Sequence, residues 1–188
     1  MAKRNFSETL TLASDKVSRN IYLQSISQGC MSMLPVVIIG SFASLFSGLP
    51  VNFWQNFLQS TGISGILAAV VSATTNMLGV FFTYGVASAY AEKLKITNKV
   101  AVILALVVYI ALLPTATLDT GTTTPSTSYM GTSGMIVGFL LAFLTVRLYK
   151  AIVAANIVIK MPAGTPDYVS NTFVSLIPGF IVVIAAMV

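Results

Sequence analysis

ISGILAAVVSATTNMLGVFFTYGVASAY, residues Ile63–Tyr90, carries no charged side chain. It is longer than the ~20 residues a helix needs to cross the ~30 Å hydrocarbon core of a bilayer. The run Glu92, Lys93, Lys95 and Lys99 closes it. Such a stretch predicts a membrane-spanning helix whose excess length is taken up by tilt or by a break. Its polar middle, Thr74-Thr75-Asn76, is where a break would fall.

The rest of the chain repeats this pattern. Of 188 residues, 56% are hydrophobic and 8% charged, against about 25% charged in an ordinary soluble domain. The charges gather at residues 3–19, 92–99 and 147–167, with Asp119 alone between the last two groups. Uncharged stretches separate them, too apolar to face water without aggregating. The fold class predicted is an all-α integral membrane bundle of about five transmembrane helices, with an amphipathic N-terminal lead-in over residues 1–26. The membrane domain is 27–188, with spans at about 28–48, 63–90, 100–118, 131–149 and 170–188.

Each span has its own signals. In the lead-in, Ser14 or Asp15 could cap a helix whose apolar side holds Val17, Ile21 and Leu23. The first span contains Pro35, which membrane helices tolerate when neighbours satisfy the freed carbonyl. Leu49–Thr61 is an uncharged connection whose Phe53, Trp54 and Phe57 favour the headgroup level. The third span carries its apolar run from Val100 to Pro114. Thr115–Met130, rich in Thr, Ser and Gly, reads as a loop or small hairpin. Arg147 is close enough to the end of the fourth span to snorkel. Ala151–Ile159 is too short to cross and extends that helix or packs on protein. Residues 160–167 form a turn-rich linker. The last apolar run is still strong at Val188, with no polar flank behind it, which predicts an architecture continuing beyond this residue.

Lysines and arginines set the orientation. They occupy the N-terminal segment (Lys3, Arg4, Lys16, Arg19), the second connection (Lys93, Lys95, Lys99) and the fourth (Arg147, Lys150, Lys160). The first and third connections have none. Alternation of this kind predicts five consecutive crossings with the N-terminus cytoplasmic.

Composition also excludes function classes. The net charge of +5 is topological rather than a nucleic-acid footprint, because no basic stripe interleaves with aromatics. No signal peptide is expected, since mostly polar residues precede the first apolar run. Cys30 is the single cysteine and cannot form an intrachain disulfide. With no base beside it, packing is its expected role. The lack of histidine removes the commonest general base and metal ligand. No catalytic residue, metal site or cofactor is predicted. The span centres hold no ionisable residue, which argues against an intramembrane proton relay. The sequon at Asn5 falls in a predicted cytoplasmic segment and is a chance match.

Asn76, with Thr74 and Thr75, is the candidate for polar work inside the membrane. It contacts a substrate hydroxyl or marks a helix break beside a cavity, or else it hydrogen-bonds a neighbouring helix. Small residues recur at four-residue spacing: Gly40, Ser44 and Gly48; Gly65, Ala69 and Ala73; Gly134 and Gly138. Such rows let backbones approach closely, and they predict helix packing or a homodimer face.

Four segments together resemble a known family. Leu23-x-x-Ile26-x-x-Gly29 continues to Pro35-x-x-x-x-Gly40-Ser41. Then come Gly131-Thr-Ser-Gly134-Met, Asn156-Ile-Val-Ile-Lys160-Met-Pro-Ala-Gly164-Thr-Pro166, and Val169-Ser-Asn-Thr-Phe173-x-x-Leu176-Ile-Pro178-Gly179. Their order and spacing are similar to enzyme IIC, the membrane permease component of the sugar phosphotransferase system, in its lactose/cellobiose (β-glucoside, chitobiose) branch. The resemblance implies translocation of a β-linked disaccharide, coupled to phosphorylation by a IIB partner that is itself served by IIA. The phosphorylated cysteine belongs to IIB, so Cys30 is not that group. Family members have about ten crossings, and this chain resembles only their N-terminal dimer and scaffold half. Most sugar contacts are then expected in the other half, and the substrate-binding residues of this chain are left open. The alternative is a non-transporting five-helix membrane scaffold or dimerisation protein.

Overall fold

The computed structural model describes residues 19–117, 123–157 and 167–187, with side chains of the last segment described from Phe173 onward. The expected caps at Ser14 and Asp15, Asp119 and the 160–166 linker lie outside the described residues.

The chain is helical, as the hydropathy pattern requires. Helix α1 (Ile21–Ser32) begins at Asn20, whose side chain accepts the Tyr22 amide at 2.9 Å. It runs without interruption through residue 26, so the expected boundary between lead-in and membrane domain falls inside a helix. Helix α2 (Leu34–Gly48) follows after Met33 with a bend of 47°. Pro35 explains the bend: it has no amide to donate, and its ring displaces the preceding turn. The connection expected at the headgroup level is itself a helix, α3 (Asn52–Thr61), ended by Gly62 at φ +73.

Helix α4 (Ile63–Ala73) and helix α5 (Leu78–Lys93) are one span interrupted by a 3-10 turn, Thr75–Met77. Helix α6 (Val100–Ala111) stops well short of residue 118. Pro114 forbids continuation and biases Leu113 away from helix. The threonine-rich chain then forms a hairpin, β1 (Thr115–Thr117) against β2 (Thr123–Pro125), antiparallel with Ala116 opposite Thr124. Two 3-10 turns lead into helix α7 (Met135–Ala154), which starts later and ends later than 131–149. Helix α8 (Asp167–Met187) carries Pro178 within it.

Helix α5 lies at the centre, against α1, α6 and α7, while α8 packs outside on α6 and α7. Small residues bring the helices close: Ala87, Ala91, Ala101, Ala105, Ala142 and Gly138 are all buried, around the larger Tyr90, Tyr109 and Tyr149. At the α1–α5 crossing, a Cβ on Gly29 would stand 2.5 Å from the Val86 backbone nitrogen. Large side chains point the other way, as in the stripe Ile136 (72% exposed), Leu140 and Leu144 on α7. Small residues at the helix crossings and large apolar residues outside are the arrangement expected when the solvent is lipid.

One end of the bundle is basic. There Tyr22, Tyr90 and Phe143 pack ring against ring at 5.0–5.5 Å. Arg147 at the rim donates to the Tyr22 hydroxyl at 2.7 Å, and Lys93 donates to Gln24 Oε1 at 3.1 Å. Among the described residues, Ile63–Lys93 and Thr132–Ala154 are each long and apolar enough to cross a membrane. The bent α1–α2 pair makes a third if counted as one span.

Candidate functional site

The break in the α4–α5 span places polar groups in the middle of an apolar run. A helix that stops leaves unpaired amides and carbonyls, which inside a bilayer must find partners in protein or water. The partners here come from the segment after the hairpin. The Gly79 amide, just past the break, donates to the Met130 carbonyl at 2.8 Å. Tyr109, buried on α6, donates its hydroxyl to the Tyr129 carbonyl at 2.8 Å.

Glycine makes this junction possible. A Cβ on Gly79 would lie 2.5 Å from the Tyr109 hydroxyl and 2.6 Å from the Gly131 carbonyl. A Cβ on Gly134 would overlap the Tyr129 carbonyl oxygen, and one on Gly138 would overlap Thr83 Oγ1. On the other side of the break, a Cβ on Gly40 would meet the Thr74 and Thr75 hydroxyls at 2.5 and 2.6 Å. Thr74 and Thr83 each donate back to a carbonyl of their own helix, Val70 and Gly79, at 2.6 Å.

Between the break and the two 3-10 turns lies a cavity of about 340 Å³. Thr75, Asn76, Thr127, Ser128, Thr132 and Ser133 line it, with Gly131 at its back. Every polar side chain in this lining is a hydroxyl or an amide. Such groups offer donors and acceptors to a neutral hydroxylated solute or to water, but no acid, base or nucleophile of useful strength. Among the described residues no group of three His, Cys, Asp or Glu is placed to hold a metal. No buried side-chain nitrogen or oxygen among them lacks a hydrogen-bond partner.

The residues singled out from sequence separate into two environments. Asn76 sits in the 3-10 turn at the cavity, and its amide donates to Ser72 Oγ at 3.4 Å on its own helical run rather than to another helix. Gly40, Gly134 and Gly138 pack within the chain. Ser44 and Gly48 lie on the open side of α2, and nothing stands within 4 Å of a Cβ built on Gly48. Gly65 on α4 is equally open. Cys30 is half-buried and free. The hydroxyls of Thr127, Ser128, Thr132 and Ser133 escaped the sequence reading as a group facing Asn76. Their clustering around Gly131 was the available signal.

An apolar exterior, small residues at the helix crossings and a broken helix beside a polar cavity define the class: an α-helical integral membrane protein with discontinuous helices, as used by many solute transporters. The chain belongs to the EIIC family of the phosphotransferase system, whose family model matches residues 27–188. It is 31% identical over 181 residues to the lichenan permease IIC component of Bacillus subtilis (strain 168), covering 89% of this chain and 40% of that protein. It is 29% identical over 185 residues to the cellobiose-specific EIIC component of Geobacillus stearothermophilus, covering 92% of this chain and 41% of that one. The crystal structure of the transporter ChbC, the IIC component of the N,N'-diacetylchitobiose-specific phosphotransferase system, superposes with a TM-score of 0.84 at 27% identity. That match covers 95% of this chain and 44% of ChbC. The chain thus spans about two fifths of the length of the relatives it matches.

Proposed function

We propose that the chain is the N-terminal scaffold half of a phosphotransferase-system permease for a β-linked disaccharide of the cellobiose, lactose or chitobiose type. The observation that carries this reading is the ChbC match, which covers 95% of the chain. A IIB protein, charged by IIA, phosphorylates the sugar on the cytoplasmic side, and this chain contributes no phosphoryl-transfer chemistry. Trapping by phosphorylation needs no ion gradient, which agrees with span centres free of ionisable residues.

In this reading the protein is multi-pass in the bacterial inner membrane, with five crossings and a cytoplasmic N-terminus. The alternation of basic connections supports that count. Helix α6 has 12 residues, roughly 18 Å of rise. The 127–134 turns continue the passage, tied to α5 by the Gly79–Met130 bond and to α6 by the Tyr109–Tyr129 bond, as non-helical backbone at depth must be. The hydroxyl-lined cavity at Asn76 forms part of the wall of the sugar path. The open face at Ser44 and Gly48 meets a second copy in a homodimer.

The test is sugar uptake in cells that make this chain alone, with IIB and IIA, or with both and the complementary half of a cellobiose relative. Uptake is expected only in the last case. Saturable uptake by the chain alone without IIB would overturn the reading. Failure of the completed, correctly inserted assembly to transport would favour a non-transporting scaffold.

A further inference from the structure

A second cavity, of about 360 Å³, opens at the basic end of the bundle, where the α5–α6 connection meets the end of α7 and the start of α8. Its rim carries Lys95 and Lys150, and its floor is apolar, with Leu94, Ile96 and Val153. Among the described residues neither Asp nor Glu lines it. Lys150 is held in place by donating to the Leu94 carbonyl at 3.2 Å, which leaves it further ammonium protons to offer. Lys95 is exposed and stands at φ 58, just beyond the end of α5. That position is normally given to glycine, and a lysine there costs on the order of 1 kcal/mol. The Lys95 side chain leaves the backbone at the cavity it lines.

Directly below lies an apolar groove of about 360 Å³ between α6 and α8, whose walls include Val100, Leu104, Leu176 and Phe180. Gly179 lines it, and a Cβ there would reach across to ordinary contact, 3.5 Å, with Leu104. The two spaces meet at a buried polar trio. The Asn98 amide donates to Ser175 Oγ, and Tyr149 donates to the same oxygen at 3.0 Å. A two-lysine cavity above an apolar groove, at the height where a charged connection meets two apolar helices, has the division of a phospholipid molecule.

We infer that this cleft binds one anionic phospholipid, its phosphate between Lys95 and Lys150 and an acyl chain in the α6–α8 groove. Juxtamembrane lysines attract anionic headgroups, and the groove offers an acyl chain close packing contacts along α6 and α8. A free phosphate would satisfy the lysines and leave the groove unused, so the groove selects the lipid.

The test is native mass spectrometry of the full chain released from mixed vesicles of dioleoylphosphatidylglycerol and dioleoylphosphatidylcholine. A preference of roughly tenfold for phosphatidylglycerol is expected, on the scale of two lysines near an anionic surface. Lys95→Gln with Lys150→Gln should bring the ratio close to one, while Gly179→Phe should reduce retention of both lipids. Should the double variant misfold, raising salt on the wild-type chain must erode the same preference. Equal retention of the two lipids by the wild-type chain would overturn the proposal. So would a ratio indifferent to both lysines and salt, or displacement of the lipid by millimolar inorganic phosphate. Rejection of both lipids would point instead to an acidic protein as the occupant and equally sink the lipid.

Discussion

The bundle (α1 and α5–α8) and the arm (α2–α4) are made of similar apolar sequence, yet they are held together by different physics. In the bundle, backbones touch: α1 crosses α5 at Gly29 and Gly85, and α7 meets Thr83 through Gly138. Dispersion between close-packed small residues carries the association, since lipid tails are as apolar as leucine. The arm also packs α2 on α4, with Gly40 against Thr74 and Thr75, but it buries few side chains deeply. Its interior contains Ala43, Gly40 and Leu58, the last 1% exposed, while Ile38, Phe42 and Leu45 face outward. Instead its turn is closed by side chains reaching the last carbonyls of α2. Trp54 Nε1 donates to Phe46 O at 2.7 Å, and Gln55 donates to Ser47 O and Leu49 O at 3.0 and 2.9 Å. The arm is thus an open hairpin whose wide apolar face is left to lipid or to another protein surface.

Substitutions that add bulk should separate the two regions sharply. The largest effect is expected for Gly29→Leu, which drives a side chain into the Val86 backbone where neither helix can yield without separating. Overpacking costs about 3 kcal/mol or more in such a position, and the variant should elute as aggregate on size-exclusion chromatography. Leu58→Ala removes the most deeply buried side chain of the arm and should cost about 2–3 kcal/mol. The lower melting temperature should come with protease sensitivity confined to residues 49–62. If the bundle became sensitive too, the division into two regions would be wrong.

Smaller changes sharpen the boundary between them. Tyr109→Phe deletes the hydroxyl bonded to the Tyr129 carbonyl and should cost about 1 kcal/mol. Faster hydrogen exchange at residues 127–134 is the readout, since that bond ties the turns to α6. Gly48→Leu, with nothing within 4 Å of its Cβ, should change the stability of a single chain by less than about 0.5 kcal/mol. If Ser44 and Gly48 meet a second copy, Ser44→Cys should crosslink two chains in the membrane, and Gly48→Leu should abolish that crosslink.

The glycine row on α2 shows why the sequence told only part of this. Gly40, Ser44 and Gly48 share a spacing, and the row reads as one face. At 3.6 residues per turn, each four-residue step drifts by about 40° around the helix. The row therefore begins against Thr74 and Thr75 and ends in the open. Gly134 and Gly138 carry the same pattern but sit where α5 and α6 converge, so both are consumed inside the chain. Helix α6 ends before its apolar run does for a simpler reason. Its apolar run continues to Leu113, but Pro114 and the β-branched threonines behind it turn the chain into a hairpin.

Some properties of this protein are local and were open to reading along the chain. The choice of lipid as solvent follows from the length of its uncharged runs, and the bend near Met33 from a proline that cannot donate. The weak point at Thr74–Asn76 follows from hydroxyls and an amide placed mid-span. Tertiary structure decided what the weak point became. Only the crossing of α5, α6 and α7 at glycines brings residues 127–134 against it, where Met130 takes the freed amide of Gly79 and a hydroxyl-lined cavity remains. Contacts between segments so far apart depend on the angle and depth at which helices cross, and those are set by every packed side chain at once.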